Sequence, residues 1–320
     1  MKEREHLGRW KNPKQEQRFR TTEVELWHEL WPDPPPSSDI DTHLGRTRVY
    51  RWAGEDTEAA PVVFLHGTGA TALSWSQYVS NVGGRTAYAI DTIGDVGYSE
   101  QRVPVEDAAD LARWLEEVLA GLMIERAHFA GMSYGGFLAL NQAARTPERV
   151  CSLTLLDPGG IVPLHFGRFM RWGMSVMAAS KLPAPLRGRA ARRLRMPALE
   201  DARIMRMLRT GAFGHETRIV PPDPLTDEQL RSITMAVLLL VGDRSEVHSV
   251  GDCVRRAETL LPHVEVHTVT GAGHALPISH PDEVLRHMTD FLDRQGDVVT
   301  RGISRAGPCP PSASPRVHCR

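Results

Sequence analysis

Six short apolar segments, separated by longer stretches with helical periodicity, constrain the fold of this chain more than any other feature. Segments this rich in apolar residues are typical of strands buried on both faces of a parallel sheet. They lie at 61–65, 87–90, 127–130, 152–156, 236–241 and 264–269. Between them, apolar residues fall on one helical face at 105–122, 135–145 and 281–292. The alternation predicts an α/β fold with a mostly parallel sheet covered by helices on both faces.

The segment 158–235 interrupts this alternation and predicts a helical insertion between two strands. Its helical pieces lie at about 165–180, 185–195 and 199–212, and it holds no convincing strand. At the N-terminus, 1–20 is polar and basic, and a short helix is predicted at 21–31. The resulting division is an N-terminal extension at 1–39, an α/β core domain at 40–157 and 236–293, the insertion at 158–235, and a disordered tail at 294–320.

Composition is that of an ordinary globular protein and points to no particular class of macromolecular partner. The formal net charge is −1 and 24% of the residues are charged, which gives no argument for nucleic acid or a membrane as a partner. No apolar stretch is long enough to span a bilayer, and no secretory signal is visible, so a cytoplasmic protein is expected. The charge is nevertheless separated, because 165–218 carries twelve cations and three acids, a formal +9.

The cysteines give no support for metal or dithiol chemistry. Cys151, Cys253, Cys309 and Cys319 form no C-x-x-C pair and no disulfide framework, which fits a reducing compartment. We therefore expect neither a metal nor a cofactor.

The motif with the strongest chemical content is Gly131-Met132-Ser133-Tyr134-Gly135, which follows an apolar strand and begins a helix of small residues. In the strand–turn–helix setting, a G-x-S-x-G motif holds its serine on a sharp turn, exposed as a nucleophile. The flanking positions need small residues, because the backbone reverses so tightly. Ser133 is therefore the predicted nucleophile.

A serine hydroxyl is a weak nucleophile and needs a base to take its proton. His274, in Gly271-Ala272-Gly273-His274, follows the last apolar segment and precedes the last helix. This position agrees with the chain order serine, acid, histidine that accompanies the nucleophile turn. His274 is therefore the predicted base.

Backbone amides are expected to stabilise the oxyanion that forms when the serine attacks. His66-Gly67-Thr68-Gly69 follows the strand at 61–65, and the amides of Thr68 and Tyr134 are the predicted donors. His66 itself is expected to be structural, as is Asp91 at the end of the next strand.

Together these motifs resemble the α/β-hydrolase superfamily, specifically its serine esterases and lipases with a helical cap. The resemblance rests on His66-Gly67, on Asp91-Thr92-Ile93-Gly94-Asp95-Val96-Gly97-Tyr98-Ser99, on the serine motif with Gly136, and on Gly271 to His274. It spans about 61–292. It implies an eight-stranded sheet, active-site loops at the strand carboxyl ends, and a helical cap at 158–235. Haloalkane-type relatives carry Asp at the nucleophile position, so Ser133 argues against dehalogenation.

The third member of the predicted triad departs from the family pattern. Relatives usually carry the acid three residues after the glycine that follows the apolar run at 236–241, and that position holds Ser245. Glu246 is the first choice, through a one-residue shift. Asp157, at the end of the neighbouring strand, is the second, and Asp243 is a weaker one. The acid could also be absent, with His274 oriented by a carbonyl or water.

The sequence therefore predicts a hydrolase that cleaves a carboxylic ester, lactone or thioester through an acyl-enzyme. Met170, Met174 and Met177 recur at helical spacing in the cap and suit a lipophilic substrate, although packing against the main domain is the simpler interpretation. The cap arginines are interpreted as solvated helix faces. Two alternatives stay open: C–C bond cleavage, acyl transfer or lyase or isomerase chemistry at the same site, and a non-catalytic ligand-binding module. Oligomeric state is left open.

Overall fold

The computed structural model describes residues 7–31 and 33–299, and a nine-stranded sheet forms its centre. Strands are numbered in chain order. Those of the central sheet are β2 (Ser37–Thr42), β3 (Gly45–Trp52), β4 (Val62–Leu65), β5 (Ala87–Ile90), β6 (Glu100–Gln101), β7 (Ala127–Met132), β8 (Val150–Leu156), β10 (Ala236–Gly242) and β11 (Val264–Val269). A separate antiparallel pair joins β1 (Arg9–Trp10) to β9 (His215–Glu216).

The order across the sheet is β11-β10-β8-β7-β4-β5-β3-β2, with the two-residue β6 beside β3. From β11 to β5 every neighbouring pair is parallel, and β3 and β2 are antiparallel additions at one edge. The predicted α/β-hydrolase fold is thus confirmed. The expected eight strands form one continuous path, and β6 is the ninth.

Helices cover both faces of this sheet, and further helices form the insertion at 158–235. They are α1 (Pro13–Leu30), α2 (Ala108–Gly121), α3 (Tyr134–Arg145), α4 (Phe166–Ala179), α5 (Ala184–Leu194), α6 (Ala202–Gly214), α7 (Asp227–Ser232), α8 (Val250–Leu260), α9 (Leu276–Ser279) and α10 (Pro281–Val299). Strand β4 shows the two-sided burial directly. Val63 and Leu65 pack in one apolar layer, whereas Val62 and Phe64 pack in the other. Successive side chains of a strand point to opposite faces, so a continuous apolar run is needed where both faces are buried.

The N-terminal extension is more ordered than the sequence pattern suggested. Helix α1 begins at Pro13 rather than near 21, and the Asn12 side chain caps it by accepting from the Gln15 amide. Proline at the first helical position and asparagine at the cap are ordinary start signals that the polar composition obscured. Trp27 is buried and stacks on Tyr50 of β3, with 4.9 Å between ring centroids. The extension therefore packs against the core.

The chain departs from the expected domain limits in two other places. Helix α10 continues to Val299, past the expected core boundary at 293. The rest of the predicted tail, 300–320, lies outside the described residues. Within 158–235, helices α4, α5 and α6 match the expected pieces. However, β9 pairs with the N-terminal β1, and α7 packs against α3 and α8 of the core.

Parallel pairing brings the ends of four neighbouring strands to one edge of the sheet. Met132 at the end of β7 is paired with Leu156 of β8, and Leu240 of β10 pairs with Leu156 from the other side. The next strand, β11, ends at Val269 beside Gly242. The loops that follow β7, β8, β10 and β11 therefore emerge side by side, which is where open α/β sheets carry their sites.

Candidate active site

Ser133 lies in the turn between β7 and α3 in a strained backbone conformation. Its φ is +53° and its ψ is −111°, a region that a residue with a side chain rarely occupies. Three backbone hydrogen bonds hold it there. Its amide donates to the carbonyl of Leu156 at 3.0 Å, and its carbonyl accepts from the amides of Gly159 at 2.9 Å and Phe137 at 3.2 Å. Strain of this kind persists only where the surroundings enforce it, and it lifts the hydroxyl clear of the strand end.

The glycines of the motif are required by close backbone packing. A Cβ at Gly131 would lie 2.3 Å from the carbonyl oxygen of Gly135. A Cβ at Gly135 would lie 1.9 Å from the carbonyl oxygen of Leu65, at the end of β4. Contacts this short cannot be relieved by side-chain movement, because the opposing atoms are backbone. Small residues therefore allow α3 to start directly above β4.

Gly135→Ala is expected to lower the free energy of unfolding by about 3 kcal/mol, because the methyl group would push α3 away from β4. Urea unfolding followed by circular dichroism measures the change. Gly251→Ala in α8 is the matched control, since no atom lies within 4 Å of its would-be Cβ. That variant should change stability by no more than about 1 kcal/mol, in the stabilising direction. Equal losses in the two variants would contradict the close-packing argument.

The imidazole of His274 is oriented by Asp157. His274 Nδ1 lies 2.6 Å from Asp157 Oδ2, and both side chains are almost completely buried. Asp157 follows β8 directly, has a φ of +45°, and donates its amide to the carbonyl of Leu240 in the neighbouring β10. The short distance to a carboxylate assigns the ring proton to Nδ1 and leaves Nε2 as the basic nitrogen.

Glu246, the first choice for the acid, faces the backbone of His274 and not its ring. Its Oε2 accepts from the His274 amide at 3.0 Å, and its Oε1 lies 3.3 Å from Arg195 Nη1 in the cap. Asp243, the weaker choice, accepts from the Gly271 amide at 2.8 Å and so closes the turn before the histidine loop. The one-residue shift therefore brings Glu246 to the histidine loop but on the side away from Nδ1.

Ser245, at the usual position of the acid, is a hydrogen-bond partner of Asp157. Its hydroxyl donates to Asp157 Oδ2 at 2.6 Å. The buried His248 lies on the other carboxylate oxygen, with 3.4 Å between its Nε2 and Asp157 Oδ1, and burial lowers the pKa of His248. Sequence reasoning missed both partners. Neither had a local signal, since a lone serine or histidine after a strand carries no chemistry by itself.

The loop after β4 lies against the nucleophile. A Cβ at Gly67 would lie 3.3 Å from the Cβ of Ser133. The Ala70 amide donates to the Gly67 carbonyl at 3.1 Å, and Gly69 has a φ of +78°, which is the geometry of a type II turn. The Thr68 amide is at the second position of this turn and is not used by its hydrogen bond. The Tyr134 amide is likewise unused by α3, because the first amides of a helix have no intrahelical acceptor.

His66 and Asp91 have the surroundings expected of structural residues. His66 Nε2 accepts from the Thr92 amide at 2.9 Å, and its Nδ1 is 2.9 Å from the carbonyl of Gly67. Both ring nitrogens of His66 are thus used in holding the loop. Asp91 accepts from the amides of Ala72 and Tyr98, each at 2.9 Å, and burial raises the pKa of its carboxyl.

The N-terminal helix reaches this loop through a buried acid that sequence reasoning also missed. Glu23 of α1 is completely buried and accepts from the Thr71 hydroxyl at 2.6 Å. Burial, with the nearby charge of Asp91, raises the pKa of Glu23 to about 8. The protonated form of Glu23 is thus favoured near neutral pH. This reduces the electrostatic repulsion between Glu23 and Asp91.

Helix α4 of the cap covers the histidine. The rings of Phe169 and Trp172 lie edge-on to the His274 ring, at centroid distances of 5.6 and 6.4 Å. Met170 and Met174, expected to pack against the main domain, are instead exposed. Met177, the third methionine of this series, is half-buried and packs against the apolar cluster that contains Val176 and Ala191.

Two kinds of arrangement are absent from the described residues. Within 7–31 and 33–299, no three His, Cys, Asp or Glu side chains come together in an arrangement that could hold a metal ion. No helix among the same residues has both the length and the apolar character needed to cross a membrane.

A family-wide model described as "Alpha/beta hydrolase family" matches residues 62–287. Among individual proteins, the uncharacterized carboxylesterase nap of Bacillus subtilis is 28% identical over 290 residues, which cover 86% of this chain and 91% of that protein. The carboxylesterase YbfK of Bacillus subtilis is 26% identical over 270 residues, covering 82% of this chain and 90% of that protein.

The crystal structure of the naproxen esterase of Bacillus subtilis, also called carboxylesterase NP, superimposes with a TM-score of 0.75. It is 25% identical in sequence, and the superposition covers 88% of this chain and 99% of that one. The similarity therefore extends over most of both chains.

Proposed function

Because the chain belongs to the alpha/beta hydrolase family, we propose that it is a serine carboxylesterase whose triad is Ser133, His274 and Asp157. The observation that carries the proposal is the 2.6 Å contact between His274 Nδ1 and a buried carboxylate, beside a strained serine. Similarity to two carboxylesterases over more than four-fifths of the chain supports ester hydrolysis as the reaction.

The proposed reaction passes through an acyl-enzyme. Ser133 Oγ attacks the ester carbonyl carbon while His274 Nε2 takes its proton, and the amides of Thr68 and Tyr134 hold the oxyanion. The intermediate then collapses, the C–O bond breaks, and the leaving alcohol takes the proton from His274. Water, activated by the same histidine, attacks the acyl-enzyme and releases the carboxylic acid. The Asp157 carboxylate stabilises the imidazolium in both steps and fixes the tautomer.

In this proposal Glu246 holds the histidine loop by its backbone and does not act on the ring. An acceptor on the His274 amide, fixed in turn by Arg195, restricts where the imidazole can move. Ser245 is proposed to hold the Asp157 carboxylate through its hydrogen bond to Oδ2, and His248 packs beside Oδ1 without a hydrogen bond. The substrate is proposed to be a small lipophilic ester, because Phe169 and Trp172 form an apolar wall beside the base.

A fluorophosphonate probe and an ester panel test this proposal together. The probe should add its mass to the tryptic peptide 127–145, in which Ser133 is the only serine. Wild-type protein should hydrolyse p-nitrophenyl esters from acetate to dodecanoate, with a preference that reports the length of the acyl pocket. Labelling without turnover of any ester or thioester would favour C–C cleavage or acyl transfer at the same site. Absence of both would favour a binding module.

A further inference from the structure

Helix α4 is apolar on two faces, and only the inner one is covered. Phe169 and Trp172 face His274, as described above. Phe166, Met170 and Met174 recur at four-residue intervals on another side, and the first and last of them are 69% and 67% exposed. A helix with apolar residues on both sides is normally buried on both. The outer side of α4 is therefore an apolar surface without a partner among the described residues.

Two more apolar residues are exposed just beyond the end of α4 in the sequence. Leu182, in the turn to α5, and Leu186, in the first turn of α5, are both exposed. We call these five residues the outer cap face: Phe166, Met170, Met174, Leu182 and Leu186.

The chain segment that carries the outer cap face has charges of a single sign. Residues 158–199 contain no Asp or Glu, whereas they contain eight cations. Arg168 and Arg195 bind the loop after β10, through the carbonyls of Glu246 and His248 and through the Glu246 carboxylate. The other six form no ion pair within 7–31 and 33–299, namely Arg171, Lys181, Arg187, Arg189, Arg192 and Arg193.

We propose that the outer cap face binds an anionic lipid surface, where the active site beneath α4 meets its esters. Exposed apolar side chains among unpaired Arg and Lys are the composition that binds the interface of an anionic membrane. Since 165–218 carries a formal +9 in a chain of net charge −1, the molecule would approach such a surface cap first. That the esters come from the lipid surface rests on the proposed ester hydrolysis. Binding of the outer cap face to lipid does not depend on that proposal.

Co-sedimentation of the full-length Ser133→Ala chain with vesicles tests the proposal without turnover. Vesicles of phosphatidylcholine containing phosphatidylglycerol should bind the protein, and vesicles of phosphatidylcholine alone should bind it at least about tenfold more weakly. Raising the ionic strength from 0.05 to about 0.5 M should reduce binding to the anionic vesicles, because salt screens the cations. Equal binding to both vesicle types, or none to either, would overturn the proposal.

Two variant pairs separate the contributions of charge and apolar contact. R171Q/R189Q/R193Q should weaken binding about a hundredfold, at roughly fivefold per cation. F166S/M174S should weaken it about tenfold through lost apolar contact. The controls, compared per residue replaced, are R51Q/R126Q, which removes two exposed cations elsewhere, and Met123→Ser, which replaces a methionine that is 91% exposed on the core domain. These controls should bind as the parent does.

A parallel binding measurement with double-stranded DNA distinguishes recognition of a lipid surface from attraction to any polyanion. DNA binding that matches vesicle binding in affinity and is unaffected by F166S/M174S would overturn the lipid proposal in favour of nucleic acid. Turnover of p-nitrophenyl acetate by the wild-type chain is measured alongside. Vesicle binding without turnover would count against ester hydrolysis alone, and turnover without vesicle binding would count against the lipid surface alone.

Discussion

Ser133→Ala is expected to lower kcat for p-nitrophenyl ester hydrolysis by about 10⁶-fold, with KM changed far less. The acyl-enzyme cannot form without Ser133 Oγ, and only oxyanion stabilisation and binding remain to favour attack by water. Alanine has the same Cβ as serine, so the strained turn, with its φ of +53°, should be retained. Steady-state kinetics measures the loss in the variant. If its circular dichroism spectrum and thermal unfolding midpoint match the wild type, the loss reports the chemical step alone.

Ser232→Ala is the matched control for this loss. Ser232 is exposed in α7, and its hydroxyl bonds only the local carbonyl of Gln229 among the described residues. This variant should retain wild-type turnover and fluorophosphonate labelling. Wild-type rates in Ser133→Ala, or probe labelling outside the peptide 127–145, would remove Ser133 from the proposed mechanism.

The parts of this protein that the sequence predicts well are those with short-range signals. The parallel sheet followed from apolar runs of strand length between amphipathic helices, and the structure confirms it. Ser133 and His274 were predicted as nucleophile and base from signals of the same short range, and their roles remain part of the proposed function. In contrast, the start of α1 was placed too late, because its Asn12 cap and Pro13 lie in a polar stretch with little periodicity.

The acid could not be chosen from the sequence, for a geometrical reason. Strands β8 and β10 are parallel neighbours, so the residues after both emerge beside the same histidine loop. Asp157 and Glu246 both reach that loop, one at the ring and the other at the backbone amide. The sequence shows that an acid follows each of these two strands. The direction in which each side chain points depends on backbone angles such as the φ of +45° at Asp157.

Asp157→Asn is therefore expected to lower kcat by about 10⁴-fold, with the fold intact. An asparagine amide can present its NH₂ to His274 Nδ1, which would favour the tautomer protonated at Nε2 and leave no base for the Ser133 proton. It also removes the negative charge that stabilises the imidazolium. Because Ser245 donates to the same carboxylate oxygen, the buried site loses its charge while retaining a polar partner.

Glu246→Gln distinguishes the two carboxylates in the same assay. A glutamine keeps an oxygen that can accept from the His274 amide and loses only the charge facing Arg195, so kcat should fall by no more than about tenfold. The reverse pattern, a loss of several orders of magnitude in Glu246→Gln and a mild effect in Asp157→Asn, would transfer the role of the acid to Glu246. Both variants replace a carboxylate that contacts His274 by the corresponding amide. The ratio of their kcat losses therefore depends on which atom of His274 each carboxylate contacts.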